Sequence, residues 1–326
     1  MSVHIVVLDG QMLNPGDLTW DEIAALGSLE VHDRSAPDEV VPRARDADVV
    51  LTNKTHLDAA TLAALTKLRF VSVLATGYDV VDVAAARERG IPVSNVPEYG
   101  TESVAQHTIA LLLEAASAVG EHDRAVHEGE WERSIDFCFW HRSPIELAGK
   151  NFGVIGFGLI GRRVGAIAHA LGMNVLGAGR SGKAPPADVA PYPFRWRSMD
   201  ELLAESHVVT LHCPLTPDNR GLVNAEFLGR MRRDAFLINT SRGGLVDEAA
   251  LAQALTEGRI AGAAVDVVSR EPVESSNPLL RAPRCILTPH LAWASREARA
   301  RLLGTTAENV RAFLGGSPTN VVNARS

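Results

Sequence analysis

Short β-branched and aliphatic runs alternate with amphipathic stretches along almost the whole chain. In the first hundred residues the runs are "HIVVLD", "LEVHD", "ADVVLTN", "RFVSVLA" and "IPVSNV". Between them lie segments with helical period such as "DLTWDEIAAL" and "DAATLAALTKL". Strands that are apolar throughout and separated by helices predict a parallel sheet covered on both faces. One continuous helix is predicted over "TESVAQHTIALLLEAASAVGEHDRAVHEGEW", and a second series of strands follows it: "NFGVIGF", "MNVLGAG", "HVVTLHC", "AFLINT", "AGAAVDVV" and "CILTPH". The expected fold class is therefore α/β, with two doubly wound parallel-sheet domains, the second of six strands. The final helical segment, "SREARARLLGTTAENVRAFLGG", follows a domain already complete near Pro289, so it is expected to return and pack on the first one.

Composition narrows the class. The 326 residues are 46% hydrophobic and 22% charged, as in ordinary globular proteins. A formal net charge of −7 argues against nucleic acid or an anionic membrane as the main partner. The beginning "MSVHIVVLDG" lacks the features of a secretory signal, and the longest apolar stretch, "TIALLLEAASAV", contains Glu114 and is too short to span a bilayer. Cys138, Cys213 and Cys285 are too few and too scattered for a disulfide framework or a thiolate metal site. A cytoplasmic protein without a metal is expected.

Chemistry enters at "GVIGFGLIGR". Gly156, Gly158 and Gly161 have the spacing G-x-G-x-x-G, between a predicted strand and a predicted helix, which is the context a dinucleotide fingerprint requires. Gly156 allows the tight turn and Gly158 lets the backbone approach a pyrophosphate. Gly161 lets helix and strand pack closely, and the helix N-terminus offers N–H groups to the phosphates. After the next strand, where an acid would bind the ribose hydroxyls of NAD, the chain reads "GAGRSGK", with no Asp or Glu before Asp188. Arg180, Ser181 and Lys183 suit a 2′-phosphate, so NADP is favoured over NAD. "DGQMLNPGD", after the first strand of the chain, carries no such fingerprint.

Three further strand ends of the second domain supply Arg242 in "INTSRGGLVDEAAL", Glu271 in "VDVVSREPVESSNPLL" and His290 in "CILTPHLAW". Ligands of open parallel sheets bind at these ends. Asp247 reads as the N-cap of the following helix. Together with "LLLEAA", "ELAGKNFGVIGFGLIGRRV", "HVVTLHCPLTPDNRGLVN" and "LATGYDVVD", these stretches resemble the D-isomer-specific 2-hydroxyacid dehydrogenase family over nearly the whole chain, above all its glycerate dehydrogenase and hydroxypyruvate/glyoxylate reductase branch.

The resemblance implies a Rossmann nucleotide domain at residues 101–290, including the connecting helix. It also implies a smaller, discontinuous flavodoxin-like substrate domain at residues 1–100 and 291–326. It implies that Arg242 holds the substrate carboxylate and the reacting oxygen, that His290 gives and takes the proton, and that Glu271 pairs with it. Asp266 is expected to face the nicotinamide amide. Leu159, Ile160, Cys213, Pro214, Thr240 and Thr108 are expected around the cofactor, and Thr76 and Gly77 at the substrate carboxylate. A homodimer is implied, with Trp140 of the aromatic segment "SIDFCFWHRSPIEL" reaching the other subunit's site.

The residue types fit the reaction. Reducing a 2-oxo acid develops alkoxide charge that needs a cation and a proton. A guanidinium matches a carboxylate geometrically, and a carboxylate beside an imidazole favours its charged form. Trp293, three residues past His290, and Trp140 are expected to narrow the pocket toward small acids such as hydroxypyruvate or glyoxylate. The alternatives are a phosphite- or formate-oxidising dehydrogenase on the same scaffold and a nucleotide-sensing corepressor. Formate enzymes of this fold carry Gln at the position of Glu271, which weighs against that branch.

Overall fold

The computed structural model describes residues 3–179 and 189–324. The chain divides into two compact units, Met1–Gly100 with Trp293–Ser326, and Thr101–Ala292.

The first unit holds strands β1 (His4–Val7), β2 (Ser28–Val31), β3 (Val49–Thr52), β4 (Phe70–Val73) and β5 (Val93–Ser94). Helices α1 (Asp21–Ala24), α2 (Val40–Ala44), α3 (Ala59–Ala64) and α4 (Val83–Glu88) alternate with them. All pairings are parallel, in the order β2-β1-β3-β4-β5. Side chains alternate across a strand, so β1 feeds two cores. Ile5 and Val7 pack with Leu302, Ala307 and Val310 of the C-terminal helix, whereas Val6 and Leu8 pack with Val40, Leu62 and Ala86. The tail therefore covers one face of this sheet. Its Phe313 stacks on Phe70 at 4.6 Å, and Arg299 forks onto both carboxylate oxygens of Asp17 at 2.7 and 2.6 Å.

The second unit begins with α5 (Thr101–Ser117) and α6 (Val119–His127). A doubly wound series follows: β6 (Asn151–Ile155), α7 (Leu159–Ala170), β7 (Asn174–Ala178), β8 (Phe194–Trp196), α8 (Met199–Glu205), β9 (Val208–Leu211), α9 (Ala225–Arg230), β10 (Phe236–Asn239), α10 (Glu248–Thr256), β11 (Gly262–Val265) and β12 (Cys285–Leu287). The C-terminal helix of the first unit is α11 (Arg296–Leu314). The sheet runs β12-β11-β10-β9-β6-β7-β8, all parallel, with the strand-order reversal between β6 and β9. Phe152 and Val154 of β6 pack under α5 and α7, while Ile155 faces the cluster of Leu202, Phe227 and Leu251.

Two expectations are corrected. Among the described residues this sheet has seven strands rather than six, because the three-residue β8 pairs beyond β7. The predicted helix over 101–131 is two helices. Ala118 takes a left-handed conformation (φ 51°) between them, and the Glu114 carboxylate caps the second by accepting the Gly120 N–H. The Leu291 and Ala292 N–H groups donate to Asp266 and tie both residues to the second unit.

Candidate active site

The glycine loop follows β6 directly. Gly156 has φ +93°, and a Cβ there would stand 2.5 Å from the Cys213 backbone nitrogen, so no other residue fits without movement. A Cβ at Gly161 would meet the Gly156 carbonyl oxygen at 2.2 Å, which is the close helix–strand approach expected of the third glycine. At Gly158 a Cβ would meet nothing within 4 Å. Gly158 is also the N-cap of α7 and provides no side-chain cap. The first-turn N–H groups of a twelve-residue helix thus have no side-chain cap, and an anion is favoured at such an end. Beside them Leu159 is 46% exposed and Ile160 packs against the core below. This cradle fits a dinucleotide pyrophosphate. Arg180, Ser181, Lys183 and Asp188 lie outside the described residues.

The neighbouring strand ends are stitched together by side chains. Ser241 donates through Oγ to the Cys213 carbonyl at 2.6 Å, and Asn239 accepts the Ser241 N–H at 3.0 Å while donating to the Arg242 carbonyl at 2.9 Å. Thr108 of α5 and Thr240 share a buried hydroxyl contact at 2.9 Å. Pro214 is exposed, and its carbonyl accepts from Asn219 at 2.8 Å. Burial raises the Cys213 thiol pKa, so the thiol stays protonated. Burial also pushes His212 down to about 3, so this imidazole is neutral, and it bonds Thr210 at 3.0 Å.

Arg242 is exposed in the turn after β10. A Cβ on Gly243 would lie 1.9 Å from the Val268 carbonyl carbon, so this glycine lets the Arg242 turn press against the segment that leads to Glu271. Glu248 then clamps that segment. Its carboxylate accepts the Ser269 N–H at 2.6 Å, the Ser269 hydroxyl at 2.8 Å and the Asn277 amide at 3.0 Å. Asp247 caps α10 by accepting the Ala249 and Ala250 N–H groups.

Glu271 Oε2 meets His290 Nδ1 at 2.6 Å, and Glu271 Oε1 accepts the Val268 N–H at 3.2 Å. His290 itself has a left-handed backbone, φ 52°. Its N–H donates to the Asp266 carbonyl at 2.7 Å. The Asp266 side chain is fully buried. Its oxygens accept from the Thr288 hydroxyl at 2.5 Å and from the backbone N–H groups of Leu291 and Ala292 at 3.0 and 2.9 Å. Burial alone would raise this carboxyl. Hydrogen bonds from His107, Thr288, Ala292 and Leu291 outweigh it and hold Asp266 below the usual carboxylate value.

Thr76 and Gly77 belong to the first unit, on the loop after β4, where Thr76 Oγ1 donates to the Val96 carbonyl at 2.9 Å. Trp293 also belongs to that unit and packs edge-on against Tyr99, with ring centroids 6.5 Å apart. Trp140 is 60% exposed. Asn239, Ser241, Glu248 and His107 were not anticipated. Asn239 is a polar residue ending an apolar strand and His107 lies in a mostly apolar helix, while Ser241 and Glu248 carry no such mark. Among the described residues no group of His, Cys, Asp and Glu could hold a metal ion, and no helix is long and apolar enough to cross a membrane.

A nicotinamide-dependent dehydrogenase built on a parallel sheet is what this glycine cradle and acid–base pair define, and comparison with known proteins specifies which kind. Residues 109–292 match the model of the D-isomer specific 2-hydroxyacid dehydrogenase NAD binding domain. A hydroxypyruvate reductase of Blautia hydrogenotrophica is 50% identical over 324 residues, covering 98% of this chain and 100% of that protein. A glycerate dehydrogenase of Methylorubrum extorquens is 42% identical, covering 99% and 100%. Among solved structures, the NADPH-dependent glyoxylate/hydroxypyruvate reductase of Sinorhizobium meliloti in complex with citrate superposes with a TM-score of 0.84. It is 27% identical, with 98% of this chain and 97% of that one covered. The chain belongs to the D-isomer-specific 2-hydroxyacid dehydrogenase family. It is an oxidoreductase that uses a nicotinamide cofactor and acts on the CH–OH group of 2-hydroxy acids.

Proposed function

We propose that the chain reduces hydroxypyruvate or glyoxylate to the D-2-hydroxy acid and prefers NADPH. The observation that carries the reading is the 2.6 Å contact between His290 Nδ1 and Glu271 Oε2, on a unit whose relatives are named for these substrates. Glu271 engages Nδ1, so Nε2 is the atom that hands over the proton. Arg242 binds the substrate carboxylate through its planar fork and draws charge onto the reacting oxygen. Thr76 and Gly77 are read as substrate-carboxylate contacts. Leu159, Ile160, Cys213, Pro214, Thr108 and Thr240 hold the cofactor beside the cradle of Gly156, Gly158 and Gly161. When bound, the cofactor supplies the hydride. Trp140 and Trp293 restrict the pocket to small acids.

Arg180, supported by Ser181 and Lys183, recognises the 2′-phosphate. A charge-assisted fork of this kind contributes about 1.5–3 kcal/mol, roughly ten- to a hundredfold in preference. We read the protein as a cytoplasmic homodimer. The segment around Trp131, Ile135, Phe137 and Trp140 is more than half exposed at each of these apolar residues, which suits a surface that a second copy covers.

A panel of 2-oxo acids, each assayed with NADPH and NADH, tests substrate and cofactor together. Hydroxypyruvate or glyoxylate should give the highest kcat/KM, and NADPH should exceed NADH by about tenfold or more. Higher kcat/KM with branched 2-oxo acids overturns the substrate. Equal use of both cofactors, or an Arg180→Ala variant that keeps the preference, overturns the 2′-phosphate reading.

A further inference from the structure

Asp266 collects three successive N–H groups, those of His290, Leu291 and Ala292, through its carbonyl and its two carboxylate oxygens. The turn that carries His290 is therefore folded around one buried residue. That matters because a left-handed backbone at a histidine is unfavourable and persists only where its surroundings hold it.

The hydroxyl of Thr288 has one hydrogen, and it is given to Asp266 Oδ1 at 2.5 Å. Toward any other neighbour Thr288 Oγ1 can only accept. The neighbour is His107 of α5, whose Nε2 lies 3.1 Å from Thr288 Oγ1 and 3.4 Å from Asp266 Oδ1. Both atoms are acceptors, so the hydrogen between them belongs to His107 Nε2. From the same helix, Ser103 donates through Oγ to the Ala292 carbonyl at 2.6 Å. The N-terminal half of α5 thus braces the turn at both ends.

We propose that His107 is a positioning residue for proton transfer. As an Nε2–H donor to Thr288 and Asp266, it locks the turn that presents His290 to Glu271. The inference rests on His290 being the proton donor of the proposed reaction.

The test compares His107→Leu, His107→Gln and Thr288→Val in the full-length enzyme, with hydroxypyruvate and NADPH. The glutamine amide nitrogen stands in for Nε2, whereas leucine fills the space without a donor. The leucine variant should lose about tenfold in kcat with both KM values within about twofold, the signature of a misaligned catalytic group rather than lost binding. Glutamine should restore kcat to within about threefold of the parent. Thr288→Val, nearly isosteric, should match the leucine variant, and the double variant should be no worse than either single one. If the leucine variant does not fold, Thr288→Val carries the test alone. A kcat within twofold of the parent, equal losses in leucine and glutamine, or a parallel rise in cofactor KM overturns the proposal.

Two controls separate this inference from the reading beneath it. His290→Ala that keeps full turnover overturns the assigned proton donor. The long-range ¹⁵N spectrum of the His107 imidazole is independent of turnover, and an Nδ1–H tautomer there overturns the role of His107 whatever the activity.

Discussion

Two parallel sheets in one chain meet their first crossover in opposite ways. After β1 the chain delivers Asp9, whose carboxylate accepts the backbone N–H groups of Asn53, Lys54 and Thr55 at 2.8, 2.5 and 2.8 Å. The strand-end donors of the first unit are thereby satisfied by the protein's own anion. After β6 the chain delivers glycine. Gly158 leaves the N-terminus of α7 without a side-chain cap and with open space where a side chain would project. One topology thus gives a closed end and an open one, and the difference is a carboxylate against a hydrogen atom. A doubly wound sheet makes an anion site available at its switch point, but the residue on the loop decides whether a ligand or the protein fills it.

The comparison breaks first at the chemistry. If the second unit carries proton transfer, His290→Ala should lower kcat by about 10²–10⁴-fold with dinucleotide affinity unchanged, measured by steady-state kinetics and cofactor titration. Turnover near the parent's would move the chemistry elsewhere.

The two glycines of the open end sharpen it. Gly161→Ala forces a methyl group against a backbone oxygen, so it should destabilise the protein by about 1–3 kcal/mol in denaturant unfolding. Gly158→Ala meets no protein atom and should unfold at the parent's midpoint, yet weaken the dinucleotide by about tenfold, because the methyl group occupies the pyrophosphate's approach. Equal stability losses in the two variants would show that the open space is not reserved for a ligand.

At the closed end, Asp9→Ala leaves three N–H groups without their acceptor. A loss of about 1–2 kcal/mol of stability is expected, with cofactor affinity unmoved. A change in dinucleotide affinity would contradict the separation of the two ends.

The smallest effect concerns the exposed segment of the second unit, which has no counterpart in the first. His141 lies between Glu130 at 2.8 Å and Glu121 at 3.2 Å, and these hydrogen bonds, Glu130 first, raise its pKa above 6.5. A raised histidine stabilises fully below its ordinary pKa, and that contribution fades as pH rises through the folded-state value. Hydrogen exchange in residues 131–142, corrected for intrinsic rates, should therefore increase as pH rises above 6.5 through the raised pKa of His141, and His141→Asn should remove the dependence. An unchanged profile in that variant would dissociate the histidine from the ordering of the segment.

The periodicity of apolar runs was enough to read two parallel sheets, their helices and the return of the tail, because alternation and helical period are local properties of the chain. The glycine spacing and the strand-end positions of Arg242, Glu271 and His290 were legible for the same reason. Elements too short for a period escaped. β8 spans three residues, and the break falls at an alanine, Ala118, a residue that ordinarily continues a helix.

What only the tertiary structure decided is which polar groups find each other. Asp9 meets Asn53 across 44 positions, and His107 meets Thr288 across 181. Asp266 is the buried post around which the His290 turn is wound, an arrangement that its place at a strand end does not reveal. Local pattern records that a residue is polar and where along its strand or helix it lies. Whether its charge is spent inside the protein or offered to a ligand depends on donors brought beside it by folding, and those come from distant parts of the chain.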